Sequence, residues 1–146
     1  MRTHHLRSER GSALVEAAIT IPILLLITVG IFEVGRAYQT WQVVTNAARE
    51  GARVAILPNT TAGTVTGLVR GYMTNGQLSH ADTAAVAVNQ AGSYVVNGAN
   101  VSASIVTVDY PFDFIMLQPV ARLVVPTSNA GQSFTMRATA IMRNEQ

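Results

Sequence analysis

A chain of 146 residues in which 49% are hydrophobic and only 12% charged has room for one modest domain beyond a long apolar segment. All ten basic residues are arginine, and apart from a small group at Arg2, Arg7 and Arg10 they are scattered, for a net charge of +2. Without a basic stripe on a folded face no nucleic-acid partner is expected, and the lack of cysteine removes disulfides and thiolate metal sites.

Residues 1–11, MRTHHLRSERG, form a short basic segment with Glu9 as its one acid. Placed before an apolar run, it predicts a cytoplasmic N-terminus with the rest of the chain across the membrane. The contrast is modest, because Arg36 and Arg49 follow the run closely. Ala13–Phe32 supplies twenty residues, and at ~1.5 Å per residue a helix of that length matches a hydrocarbon layer of ~30 Å. A single membrane span is expected. A cleaved secretory signal is disfavoured: the run is longer than the usual ~7–15 residues, Glu16 interrupts it, and no small-x-small site closes it near Ile31. A carboxylate inside a span costs ~2.5–3.5 kcal/mol on insertion scales. Glu16 must therefore find a cationic partner or reach water at the cytoplasmic face. Pro22 cannot donate to the carbonyl of Ala18, which predicts a kink there.

The helical pattern continues past the span. Val34, Tyr38, Trp41, Val44, Ala48, Ala52 and Ala55 recur at steps of three and four, with Arg36, Gln39, Asn46, Glu50 and Arg53 opposite. No proline intervenes between Pro22 and Pro58, so residues 12–57 are expected to form one transmembrane and stalk helix. Tyr38 and Trp41 fit an interfacial belt and packing beneath the following domain equally well. The small residues Ala47, Ala48, Gly51, Ala52 and Ala55 admit close approach of another element.

Residues 58–146 read as a small exposed α+β domain. Pro58–Gly63 is a turn-rich break, after which Thr64 is placed to cap a short helix carrying Val65, Leu68, Val69, Tyr72 and Met73 on one face and closing at Asn75-Gly76. Ala84–Val88 has the composition of a strand. Asn97-Gly98 joins Ser93–Val96 to Val101–Tyr110 as a hairpin. Phe134, Met136, Ala138, Ala140 and Met142 alternate with polar residues, as in a half-buried strand. Pro111–Pro126 is apolar for a loop; a helix on the membrane surface, a partner contact and core under a flap are all open, with the last preferred.

Several spaced features carry a family resemblance. Gly11-Ser12-Ala13-Leu14-Val15-Glu16 resembles the processing site of type IV-type prepilins. Together with Pro22, Leu24-Leu25-Leu26, Gly30-Ile31-Phe32-Glu33 and Asn46–Arg53, it resembles the TadE-like minor pilins, or pseudopilins, of tight-adherence (Flp) pilus systems, over Arg10 to about Ala55. Tyr110-Pro111-Phe112 and Thr139–Arg143 resemble the end of such domains less specifically. The resemblance implies a pilin-like architecture and a leader, residues 1–11, cut by a membrane-embedded prepilin peptidase between Gly11 and Ser12. It further implies that Glu16 neutralises the new α-amine of a neighbouring subunit, and that other pilins and assembly-platform proteins bind the N-terminal helix in the inner membrane. The outcome would be a pilus for surface adhesion; the competing expectation is an uncleaved, membrane-anchored envelope binding module.

Chemistry of other kinds is not expected. His4, His5 and His80 have no metal-ligand spacing, and Asp109 and Asp113, flanking Tyr110-Pro111-Phe112, suit a turn better than a cation site. No nucleophile elbow or phosphate loop occurs, so neither catalysis, a cofactor nor a metal is expected.

Overall fold

Helix α1 runs unbroken for 49 residues, Arg7–Ala55, a length of ~74 Å. The computed structural model describes residues 7–144, with side chains from residue 11 onward. After α1 come α2 (Ala62–Asn75), β1 (Ala85–Val96), β2 (Ala99–Phe112), α3 (Leu117–Val124) and β3 (Phe134–Arg143), an α+β chain with a three-stranded antiparallel sheet in the order β1-β2-β3. Two compact units divide it: residues 36–112 with 133–146, and the described part of residues 1–35 with 113–132.

In the first of these units the end of α1 presents Val44, Ala47, Ala48, Gly51, Ala52 and Ala55 as a buried edge of small side chains. Its backbone approaches closely: a Cβ on Gly51 would lie 2.5 Å from Val69 Cγ2 and 3.3 Å from Val106 Cγ1. The expected stripe is correct from Val44 onward and out of phase before it. Val34, Tyr38 and Trp41 are exposed, while Glu33 and Thr40 hold the buried positions. Polar side chains on the inner face concealed the true phase, and Tyr38 and Trp41 lie off the buried stripe. Ala55 ends the helix with its carbonyl accepting from Gln90 Nε2 at 3.0 Å and Ser104 Oγ at 3.4 Å. Two orphan-carbonyl contacts at a helix end are thus supplied by the sheet.

Helix α2 is capped by Thr61 rather than Thr64: Thr61 Oγ1 accepts from the Thr64 N–H at 3.2 Å, so Ala62 and Gly63 already belong to the first turn. Val65, Val69 and Met73 are its buried face. Strand β1 joins the expected Ala84–Val88 and Ser93–Val96 pieces through a bulge between Asn89 and Gly92. The β1–β2 turn has Asn97 and Gly98 at φ 50° and 82°, the left-handed pair that a two-residue hairpin requires. Strands β2 and β3 pair from Ala103↔Arg143 to Phe112↔Phe134, with Val106, Val108, Tyr110, Phe112, Met136 and Ala138 inward. Asp109 is a mid-strand residue and not a turn former. Arg137, its register partner, donates Nε to Oδ1 at 2.6 Å and Nη2 to Oδ2 at 2.9 Å. That hydrogen bonding holds the Asp109 carboxyl below its ordinary value.

The second unit contains α1 through Gly35 and the excursion 113–132 that carries α3. Gly131, at φ 83°, closes the excursion so tightly that a Cβ would stand 2.6 Å from the Gln118 backbone nitrogen. Of α3 only Ala121 is buried. Ile115, Met116, Leu123, Val124 and Val125 are all exposed, so of the stretch expected to be core under a flap Phe112 and Ala121 are buried and the rest of its large apolar side chains are not.

Candidate functional site

The first turns of α1 hold every residue singled out for processing and assembly. Gly11 and Ser12 lie within the helix and are exposed, with nothing within 4 Å of a Cβ built on Gly11. Glu16 is exposed too, and stands four residues beyond Ser12, so the two share one helix face. Pro22 lies inside α1, which continues through it. The basic residue Arg2 and the histidines His4 and His5 lie outside the described residues.

The surface between these residues and the end of the span is bare of protein. Its most apolar window has mean hydropathy 2.4 and none of it is buried; Leu14 and Ile31 are more than 70% exposed. Among the described residues α1 is the one helix long and apolar enough to cross a membrane, consistent with a single-pass anchor. Thr28, a polar residue in the run, donates its hydroxyl to the Leu24 carbonyl at 2.8 Å and so needs no water.

At the end of the run the structure assembles a contact that sequence reasoning missed. Glu33 is fully buried, and its Oε1 accepts from the backbone N–H groups of Ile115 and Met116, both at 2.7 Å. Met116, the N-cap of α3, makes no side-chain cap bond of its own. A carboxyl oxygen from α1 therefore satisfies donors entering α3 and complements the positive end of its dipole. The local signal was an acid placed directly after the apolar run. Its partners, 82 and 83 positions away, left no mark in the pattern. In the other unit Arg36 places its guanidinium 4.4 Å from the centroid of the Phe112 ring, a cation–π contact.

A polar cleft of about 170 Å³ is lined by Arg36, Thr40, Gln77 and Tyr110 among others. His80 is tied to Tyr110, its N–H donating to the phenol oxygen at 3.3 Å with ring centroids 6.1 Å apart. Among the described residues no three His, Asp or Glu side chains gather as a metal site.

A long helix with a bare apolar surface, followed by a small α+β domain with a three-stranded sheet, is consistent with a single-pass membrane anchor that carries a small domain. Residues 11–53 match the family model described as TadE-like protein, so the N-terminal resemblance holds over the whole of the span and most of the stalk. Neither a curated protein nor a solved structure matches the chain.

Proposed function

We propose that this chain is a minor pilin, or pseudopilin, of a tight-adherence pilus system. The observation that carries this reading is the coincidence of the TadE-like match, residues 11–53, with a helix whose apolar surface is uncovered and whose Ser12 and Glu16 share a face. Its chemistry is to be a substrate and then a building block; no catalytic role is proposed. A prepilin peptidase cuts between Gly11 and Ser12 on the cytoplasmic side of the inner membrane, with the α+β domain outside. The bond lies inside α1, so the peptidase must unwind the helix around it, and glycine at position 11 lowers that cost by about 1 kcal/mol relative to alanine.

Cleavage creates an α-amine on Ser12 whose ordinary pKa is ~7.7–8.0, mostly cationic at neutral pH. Glu16 of an adjacent subunit accepts it, which compensates both charges in lipid and sets the axial register between helices. Pro22 leaves the Ala18 carbonyl without its helical donor, and gives the span a point at which to bend as it packs among other pilins and platform proteins. The assembled pilus serves surface adhesion.

Two substitutions separate processing from assembly. Gly11→Phe is expected to leave the leader attached. Glu16→Ala is expected to be cut normally and to reduce piliation severalfold; full piliation of Glu16→Ala would remove the charge pairing from this account. An uncleaved envelope binding module would show neither effect.

A further inference from the structure

We infer that the α3 segment, residues 115–125, is a second membrane contact: a foot that seats in the headgroup boundary of the same bilayer that α1 crosses. This rests on α1 being a membrane span, part of the function proposed above, but not on cleavage or on pilus assembly.

Three observations converge on a lipid surface as the occupant. The first is height. The two hydrogen bonds at 2.7 Å fix the backbone of Ile115 and Met116 at Glu33, the residue directly after Phe32, where the apolar run ends. The start of the α3 segment is therefore held at the level where hydrocarbon gives way to headgroups. The second is uncovered apolar surface. Ile115, Met116, Leu123, Val124 and Val125 are exposed within this one short stretch, and Ile31, Phe32 and Val34 are exposed on α1 around Glu33. Exposed apolar side chains thus flank Glu33 both on α1 and on the segment that its carboxyl group holds. The third is amphipathicity. Met116, Val120 and Leu123 recur at helical spacing, while Gln118 and the exposed Arg122 stand four apart on another face. An interfacial helix combines an apolar face in the acyl boundary with arginine reaching headgroup phosphates.

Burial of Glu33 also acquires a purpose. A carboxyl group at the hydrocarbon edge is costly when it faces lipid. Here the N–H groups entering α3 take the place of water, so the foot and the shielding of Glu33 are one device.

The chain has no cysteine, so single cysteines can be introduced and labelled with an environment-sensitive fluorophore in the full-length protein, reconstituted at one copy per nanodisc. The positions are Ile115→Cys, Leu123→Cys and Val125→Cys on the foot, Ile23→Cys in the span and Asn59→Cys as an exposed reference. With phospholipids carrying a nitroxide near the headgroup, the foot labels should emit blue-shifted light and be quenched several-fold more than Asn59→Cys. Ile23→Cys should respond most strongly to a nitroxide at the chain end. Foot labels that read water while Ile23→Cys reads lipid would overturn the foot and leave the anchor standing. Water at Ile23→Cys as well would overturn both. A foot signal that arises only when protein density is raised would assign this face to another copy and overturn the lipid contact.

Discussion

At Glu33 a carboxyl group is withdrawn from water beside the most apolar stretch of the chain, and a pair of backbone donors directly ahead of α3 meets one of its oxygens. Removing the acceptor leaves two N–H groups to be solvated or stranded. A stranded buried donor costs ~1–3 kcal/mol, so Glu33→Ala is expected to lose about 2–3 kcal/mol of local stability. Amide exchange at Ile115 and Met116 should accelerate accordingly in detergent micelles, and Glu33→Gln, which keeps an acceptor, should recover most of the protection. Unchanged exchange in Glu33→Ala would show that α3 is held by other contacts. Asp109 presents a milder case. Its folded pKa lies below the ordinary 3.8, so the Arg137 pair contributes stability above that value and loses it as pH falls through the folded one. Because the pair is on the surface the contribution is small and sensitive to salt. Melting of the wild type and Asp109→Asn should differ by a constant small gap from neutral pH to about 4 and converge below it. A gap that widened in acid would contradict this assignment.

Among the elements, α1 and α2 meet where Gly51 lets the backbone come within reach of Val69 and Val106. Gly51→Ala forces a 2.5 Å contact onto a β-branched side chain and is expected to destabilise by ~1–3 kcal/mol. Gly67→Ala in α2, where nothing lies within 4 Å, is expected to stabilise by ~0.5–1 kcal/mol through helix propensity alone. Chemical denaturation of the two variants checks both signs, and equal effects would mean that the close approach is not what Gly51 provides. The elements differ in how far they were legible beforehand. The hairpin at Asn97-Gly98 and the alternation of Phe134–Met142 are local chemistry, and they appear where the residues put them. Strand β1 was read as two pieces because Asn89-Gln90-Ala91-Gly92 has the composition of a link; a bulge carries the strand through it. The phase of α1 before Val44 was misread because its inner face is polar at Glu33 and Thr40, and the partners of Glu33 lie 82 and 83 positions away. For the same reason α3 was assigned to the core: hydrophobicity reports a wish to leave water without naming the medium.

For the whole molecule, the consequence is a division of labour along one helix. Its end is held by Gln90 and Ser104 of the small sheet, and its beginning is an uncovered apolar rod whose early turns carry Gly11, Ser12 and Glu16. That rod was fully legible, because length, hydropathy and a spaced acid are properties of the sequence itself, and the TadE-like match covers the same residues. The contact between Glu33 and α3 was not, since it depends on how residues far apart in the chain are brought together. The proposal that the protein is a processed pilin makes its sharpest statement about a covalent bond. Intact mass and N-terminal sequencing of the protein purified from its native membrane, with and without the cell's prepilin peptidase, test that statement directly. The account predicts a chain beginning at Ser12 when the peptidase is present and at Met1 when it is absent; a Met1 start in both would contradict it.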